Sequence, residues 1–306
     1  MFVLQSDLRK NQMGIDNAHY EELCNKVDAV VHSAANVKHY GLYEELYKDN
    51  VEVTERLLEF ALTNKKKDFH FISTMDTGRG EIPGKEYLVF TEYSHDEGQQ
   101  FKHLYMKSKF EAEKRILAYR EKGLNASIYR AGNITFHSET GLFQENIENN
   151  AFYAIMRGII KVGFLSDNMK KLVFDMSFIN YSARAIVLLL TRAKLANETY
   201  HISNPNRLSM IDMIEFLTAS GIQIPEVKAG NTREHLAQFE GNREYEKIIE
   251  RMKLDSWAWD AKPSTITVSK ADRTVMLLTK TGFKWPKVTK QHIQKMIAHC
   301  QKVGFL

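Results

Sequence analysis

The sequence predicts an α/β protein: a doubly wound parallel sheet followed by a mainly helical C-terminal lobe. Three observations carry this. Short apolar runs rich in β-branched and aromatic residues alternate with segments of helical period over the first part of the chain. One of those runs, "DAVVHSAA" from Asp28, is apolar at consecutive positions, as a strand covered on both faces requires. From about Phe136 the alternation gives way to amphipathic helical patterns, and after Ser209 the chain reads as nearly all helical.

Taken in order, "MFVLQSD" reads as a strand ending in acid, and "NAHYEELCNK" as a short helix. "DAVVHSAA" is the next strand, "GLYEELYKDNVEVTERLLEFALTN" a long helix, and "DFHFIST" another strand. Residues 104–122 have a helical pattern, and "NASIYRAGN" is a further strand. "ENIENNAFYAIMRGIIKVGF" is a helix followed by a loop, and "MSFINYSARAIVLLLTRAK" an amphipathic helix. "ETYHISN" is a late strand closed by Pro205. A hydrophilic stretch from about Lys228 to Lys253 interrupts the final helical region. The predicted organisation is a sheet domain over residues 1–208, with an excursion into the substrate lobe at about 136–176, and a helical substrate subdomain over 209–306. That subdomain is expected over the carboxyl ends of the strands, where open α/β sheets bind ligands.

The composition is that of a globular protein: 306 residues, 43% hydrophobic and 26% charged, with a net charge of +4. The charge is too mild and too scattered to predict a nucleic-acid partner. Lys65, Lys66 and Lys67 form one cluster, read as a solvated helix end. No apolar run has membrane length, and no signal peptide is visible. The two cysteines, Cys24 and Cys300, are therefore read as reduced thiols in a cytoplasmic protein. The eleven histidines are dispersed without zinc spacing, so no metal is predicted.

Three stretches carry possible chemistry. "HLYMKSKFEAEK" sets Tyr105 four residues before Lys109, one helical turn, so both side chains share a face. An ammonium beside a phenol stabilises phenolate and lowers a pKa that starts near ~10. Such a phenol exchanges a proton with a carbonyl oxygen at neutral pH. Two surface residues on a helix have the same spacing, so the pair alone leaves both readings open. "DFHFISTMDTGRG" ends its strand in Ser73 and Thr74, whose hydroxyls suit a substrate carbonyl or simply close a strand. "DAVVHSAANVKHYG" ends in Ser33, Ala34 and Ala35. Small residues there admit a flat cofactor to the backbone, or pack strand closely on helix.

In this order, the stretches resemble the extended short-chain dehydrogenase/reductase superfamily: "HSAA" after its fourth strand, "ST" followed by Gly78, and Tyr-x-x-x-Lys. "FVLQSDLRKNQMGIDNAHYEELCNKVDAVVHSAANVKHYGLYEELYKDNVEVTERLLEFA", "IYRAGNITF", "YHISNPNRLSM" and "DRTVMLLTKTGFKWPKV" are similar to the carboxy-terminal reductase domains of nonribosomal peptide synthetases and carboxylic acid reductases. The resemblance spans essentially the whole chain and implies a thioester reductase domain. It implies that Tyr105 donates a proton to the developing oxyanion. Lys109 holds the nicotinamide ribose and lowers the Tyr105 pKa, and Thr74 orients the substrate carbonyl. It implies NADPH contacts from Asp7, Leu8, His32, Ser33, Ala34, Ala35 and Lys109, and from Arg130, Ala131, Gly132 and Asn133 after the sixth strand. Asn50, in "KDN", is implied as a brace near the site. The implied partner is a carrier protein presenting an acyl or peptidyl thioester on phosphopantetheine, and the implied product an aldehyde or, after a second reduction, an alcohol.

The family opens with a strand, a Gly-rich turn and a helix that binds the pyrophosphate. No G-x-x-G-x-x-G occurs in these 306 residues, and the first of them resemble the family's third strand. The expectation is an incomplete Rossmann-like sheet, from a longer polypeptide, a truncated gene or a split product. Its strand near Asp28–His32 is expected to expose an edge prone to self-association, and the chain alone to bind NADPH weakly or not at all. Two other readings stand beside this: a non-catalytic fragment that docks a carrier protein or partner chain, and a sugar-nucleotide epimerase or dehydratase. "TKTGFKWPKV" speaks against the last.

Overall fold

The computed structural model describes residues 2–38, 41–192, 195–255 and 265–306. The expected helical region over 256–264, and the last two residues of the helix expected to reach position 194, lie outside them. Along the chain, α1 (Asn17–Lys26) leads into β1 (Ala29–His32). Next come α2 (Tyr43–Leu46), a π-helical turn (Tyr47–Glu52) and α3 (Val53–Leu62). β2 (Asp68–Thr74), β3 (Tyr87–Phe90), α4 (Leu104–Glu121) and β4 (Ala126–Ala131) follow. The middle carries β5 (Ile134–Thr135), α5 (Ala151–Val162), β6 (Leu165–Ser166), β7 (Val173–Phe174), β8 (Ser177–Phe178) and α6 (Ile179–Arg192). β9 (Thr199–Ile202), β10 (Leu208–Ser209), α7 (Met210–Thr218), β11 (Glu226–Val227), α8 (Thr232–Ala237) and α9 (Arg243–Asp255) come next. β12 (Ile266–Ser269), α10 (Asp272–Lys280) and α11 (Lys290–Lys302) complete it.

Contacts divide the chain into two compact units. The first comprises Met1–Ala131, Ile186–Ile202 and Ser264–Gly282, and the second Gly132–Ala185, Ser203–Pro263 and Phe283–Leu306. Residues 265–282, expected in the C-terminal helical subdomain, thus cluster with the sheet. The reason is β12, which pairs in parallel with β3, from Ile266 opposite Tyr87 to Ser269 opposite Phe90.

The first unit holds a parallel sheet in the order β1-β2-β4-β9. Every residue of β4 and β9 is buried. α3 and α4 cover the sheet with Val53, Leu57, Leu58 and Ala61 from one helix and Ala112, Ile116 and Tyr119 from the other, packed on Phe69, Phe71 and Ile128. The spacing of three and four residues is what puts those side chains on one stripe of each helix. Burying each such leucine or isoleucine contributes about 1.5–3 kcal/mol. α1 starts where the Asp16 carboxylate accepts the His19 amide at 3.0 Å. Lys67 corrects the reading of its cluster as solvated. It is buried, and its ammonium donates to Thr63 O at 2.9 Å, Lys65 O at 2.7 Å and Cys24 O at 2.9 Å, satisfying carbonyls where α1 and α3 end.

One strand expectation fails, and a second holds only in part, since β1 forms within "DAVVHSAA" and pairs with β2. Residues 2–5 form no strand, and Phe2, Val3 and Leu4 are exposed. β1 is not covered on both faces: Ala29 and Val31 are exposed, and only His32 is buried. β1 ends the sheet order, so among the described residues one of its edges has no strand partner. That edge leaves backbone N–H and C=O groups of β1 without a strand partner, while Val30 still packs on the α3–α4 core.

The second unit is built around α5, α7 and α11. Phe152, Met156 and Ile159 pack with Met213 and Leu217, and with Ile293, Met296 and Ile297. α5 stops at Gly163, whose φ of 78° takes the left-handed form that glycine adopts without steric cost. Phe283 is buried and Trp285 half-buried, their rings edge to face at 5.1 Å. Among the described residues no helix is long and apolar enough to cross a membrane.

Candidate active site

β2 stops at Thr74, where the chain turns into a short 3-10 helix over Met75–Gly78. The Thr74 hydroxyl accepts the Asp76 amide at 3.2 Å and so caps that turn. Acceptance uses a lone pair, leaving the hydroxyl proton to donate. Asp76 also pairs with Arg79 at 3.1 Å. Gly78 is required by a close approach: a Cβ there would stand 2.4 Å from the Phe90 ring.

α4 addresses the end of β2 with three successive turns. Tyr105, half-buried, lies on the turn that feels the Asp76 carboxylate. Lys109 is 2% exposed; its ammonium donates to Ile72 O at 2.7 Å and sits 3.9 Å above the Phe71 ring. Glu113, also buried, accepts the Ser73 hydroxyl at 2.5 Å. Thr74, Tyr105 and Lys109 therefore belong to one strand end and one helix face.

The electrostatics differ from the expectation that Lys109 lowers the Tyr105 pKa. Burial, and then the Asp76 carboxylate, push the Tyr105 phenol above its ordinary range. Lys109 is turned to a carbonyl and a ring, and burial brings its own pKa down to about 7 while Glu113 opposes the fall. Two of the ammonium's three hydrogens are not needed by Ile72 and remain for other acceptors.

Asn50 sits in the π-helical turn and is buried. Its Oδ1 accepts the Asn36 amide at 2.7 Å, and its Nδ2 donates to Asn36 O and to Ser108 Oγ, both at 2.9 Å. Ser108 in turn donates to Tyr105 O at 2.8 Å. One side chain thus ties the segment after β1 to the first turns of α4. The π-turn inserts an extra residue into the helix, a device that re-aims side chains.

The other expected residues divide. Ser33 and Ala34 are exposed and Ala35 half-buried, leaving the backbone after β1 open. His32 does not line that opening with its ring. It is buried, bonded through Nε2 to Thr54 Oγ1 at 3.1 Å, and burial with the nearby Lys109 charge brings its pKa down to about 3. The Asp7 carboxylate is engaged by Arg9 at 3.1 Å, and Leu8 packs against the α3–α4 core.

The Arg130 side chain turns into the core rather than to an open surface. It is completely buried, with Nη2 bonded to Glu113 Oε2 at 2.7 Å and Nε to both Glu113 oxygens at 3.1 Å. A cation in a closed core needs such a partner. Ala131 is buried in β4, opposite Thr74 in register. Gly132 is explained by packing in the second unit: a Cβ would lie 1.9 Å from Asp175 Oδ2. The Asn133 amide donates to that same oxygen at 3.0 Å.

Sequence reading missed Glu113 and Ser108, and it offered Ser73 to a substrate carbonyl or a strand end rather than to Glu113. Glu113 carried a signal, standing four residues after Lys109 and eight after Tyr105 on the same helix face. Ser108 carried none beyond adjacency to Lys109.

A family profile described as male sterility protein, an NAD-binding domain, matches residues 1–186. The chain is 26% identical over 302 residues to a linear gramicidin synthase from Brevibacillus parabrevis, covering 98% of this chain and 6% of that protein. It is 26% identical over 257 residues to the carboxylic acid reductase of Segniliparus rugosus, covering 78% of this chain and 21% of that protein. The chain thus spans a small part of the curated relatives it matches. Among solved structures, a thiolation-reductase di-domain from an archaeal non-ribosomal peptide synthetase superposes with a TM-score of 0.81 at 25% identity, over 98% of this chain and 61% of that one.

Proposed function

Because this chain belongs to the male sterility protein family of NAD-binding domains, we propose that it is the terminal reductase part of a longer synthetase or reductase. Its substrate is an acyl or peptidyl chain held as a thioester on a carrier protein, and its product an aldehyde. The observation that carries this reading is the placement of Thr74, Tyr105 and Lys109 on one strand end and one helix face, with Asn50 bracing the helix start. The names of its relatives, a gramicidin synthase and a carboxylic acid reductase, support the substrate class.

NADPH, when bound, supplies hydride to the thioester carbon. The residues present suit the nicotinamide half of that cofactor. The exposed Ser33 and Ala34 admit it to the backbone, and the Lys109 ammonium keeps donors for the ribose hydroxyls. For the pyrophosphate these 306 residues hold no G-x-x-G-x-x-G turn. Thr74 donates its hydroxyl proton to the thioester carbonyl and orients it. Tyr105 gives its proton to the oxygen as negative charge develops there. A phenol pushed up by burial is fully protonated at neutral pH, which suits a donor. Collapse of the tetrahedral centre releases the carrier thiol.

The test is titration with NADPH, followed by nicotinamide fluorescence, on this chain and on one extended upstream by a Gly-rich βαβ unit. The extended chain binds saturably and consumes NADPH when given an acyl-pantetheine thioester. An extended chain that binds NADPH but leaves the thioester intact overturns the reductase reading.

A further inference from the structure

The site rests on a buried charged cluster that reading the residues one by one did not assign. Glu113 and Arg130 form an ion pair whose side chains are 3% and 1% exposed. Glu113 also accepts the Ser73 hydroxyl, so one carboxylate joins α4, β2 and β4. Arg130 spends its remaining donors on Ser94 O at 2.9 Å, His95 Nδ1 at 3.3 Å and His201 Nε2 at 3.3 Å, and its guanidinium lies 4.5 Å over the Phe90 ring. His201 Nδ1 donates to Lys270 O, which fixes Nε2 as the acceptor for Arg130.

A buried ion pair is a poor choice for stability alone, because desolvation offsets most of its attraction. Its placement points elsewhere. Ser73 precedes Thr74, Glu113 follows Lys109 by one turn, and Arg130 pairs in register with Ser73. We propose that Glu113 is the positioning residue of the active site, fixing the register of α4 against β2 and holding a negative charge one helical turn from the Lys109 ammonium. This rests on reading Thr74, Tyr105 and Lys109 as the reductase site. The direction of the Lys109 shift agrees, since Glu113 raises what burial lowers. The ionisable groups facing Lys109 are Glu113 on its own helix and His32 on β1. Those facing Glu113 are Arg130 on β4, His95 in the preceding loop, Arg120 on α4 and His201 on β9.

The test reads Lys109 itself. Lysine Cε resonances of the full 306-residue chain are followed against pH, with Lys109→Arg assigning the signal, so neither cofactor nor substrate is needed. Glu113→Gln keeps the shape and removes the charge; the Lys109 midpoint should fall by about one pH unit, a tenfold loss of proton affinity. Glu113→Asp keeps the charge and should leave the midpoint nearer the parent. If Glu113→Gln does not fold, the double variant Glu113→Gln/Arg130→Gln removes both charges at similar volume, and a smaller fall in the same direction is expected, because the opposing Arg130 charge is lost with the carboxylate. A folded neutral variant with an unmoved Lys109 midpoint overturns the proposal, as does an aspartate variant that moves as far as the glutamine one. In the upstream-extended chain, Glu113→Gln should lower kcat and displace the pH–rate limb with the Lys109 midpoint while KM for the thioester holds. A parent without reductase activity refutes the functional reading and leaves the Lys109 titration to decide this one.

Discussion

Replacing Asn50 with alanine removes three hydrogen bonds at once, at 2.7, 2.9 and 2.9 Å. The two to Asn36 face a half-buried residue, so water restores part of that loss. The one to Ser108 ends on a fully buried hydroxyl, which keeps only its own bond to Tyr105 O. Three bonds at a net of about 0.5–1.5 kcal/mol each give a loss of about 2–4 kcal/mol. With an m value of about 2 kcal/mol/M, the urea midpoint of the Asn50→Ala chain falls by about 1–2 M, followed by circular dichroism. Asn50→Asp sharpens the test. Its carboxylate still accepts the Asn36 amide but, when ionised, faces Asn36 O and Ser108 Oγ without a proton to offer. Its folded pKa then lies above the unfolded value. The penalty is absent below the ordinary carboxylate range and grows as pH rises through the folded pKa. An alanine variant whose midpoint moves by less than about 0.3 M, roughly 0.6 kcal/mol, refutes the idea that Asn50 braces the helix start.

Other outcomes follow from the same geometry. Tyr105→Phe in an upstream-extended chain should lower thioester turnover by about 10²–10⁴-fold with NADPH affinity unchanged, measured by steady-state kinetics and fluorescence titration. Lys109 has a folded pKa of about 7 against an unfolded value of 10.5. Between those pH values the unfolded chain binds the extra proton, so this group makes stability rise with pH across that window and adds no slope below it. Lys109→Met should flatten that rise in thermal melts taken across the window. Gly132→Ala should destabilise by about 2 kcal/mol or more, because its methyl meets the Asp175 carboxylate; melting should detect it without any cofactor. A neutral Gly132→Ala would return that glycine to the cofactor.

Local chemistry made part of this fold legible. "NAHYEELCNK" and "DFHFIST" coincide with α1 and β2, because a capping Asp16 and a run of apolar, β-branched and aromatic residues set their ends. "FVLQS" as a strand, and the two-faced cover expected of "DAVVHSAA", misled for one reason: apolar runs report what a strand is able to bury, not whether a neighbour is present. β3 and β12 were missed because each is four residues long and each needs the other, far along the chain. At the site, Tyr105 and Lys109 stood out through their spacing, and Asn50 through its motif. Arg130 and His32 were placed near the cofactor by resemblance, and only their burial showed them spent on Glu113 and Thr54. Glu113 looked like one more charge in a lysine- and glutamate-rich helix until Ser73 and Arg130 closed on it.

The Glu113–Arg130 pair also constrains how this chain is able to change by descent. Removing either partner alone strands a buried charge, at about 3–5 kcal/mol. A domain stable by about 5–15 kcal/mol loses much of its margin in that one step. Replacing both with apolar residues of similar volume is close to neutral, but the path runs through one of the two damaged singles. His95, His201 and Ser73 are tied to the same pair, so a compensated exchange means altering three strands, a helix and a loop together. Lineages that have drifted to a quarter identity elsewhere should therefore keep these positions as a block or lose them as a block, with few chains caught holding half.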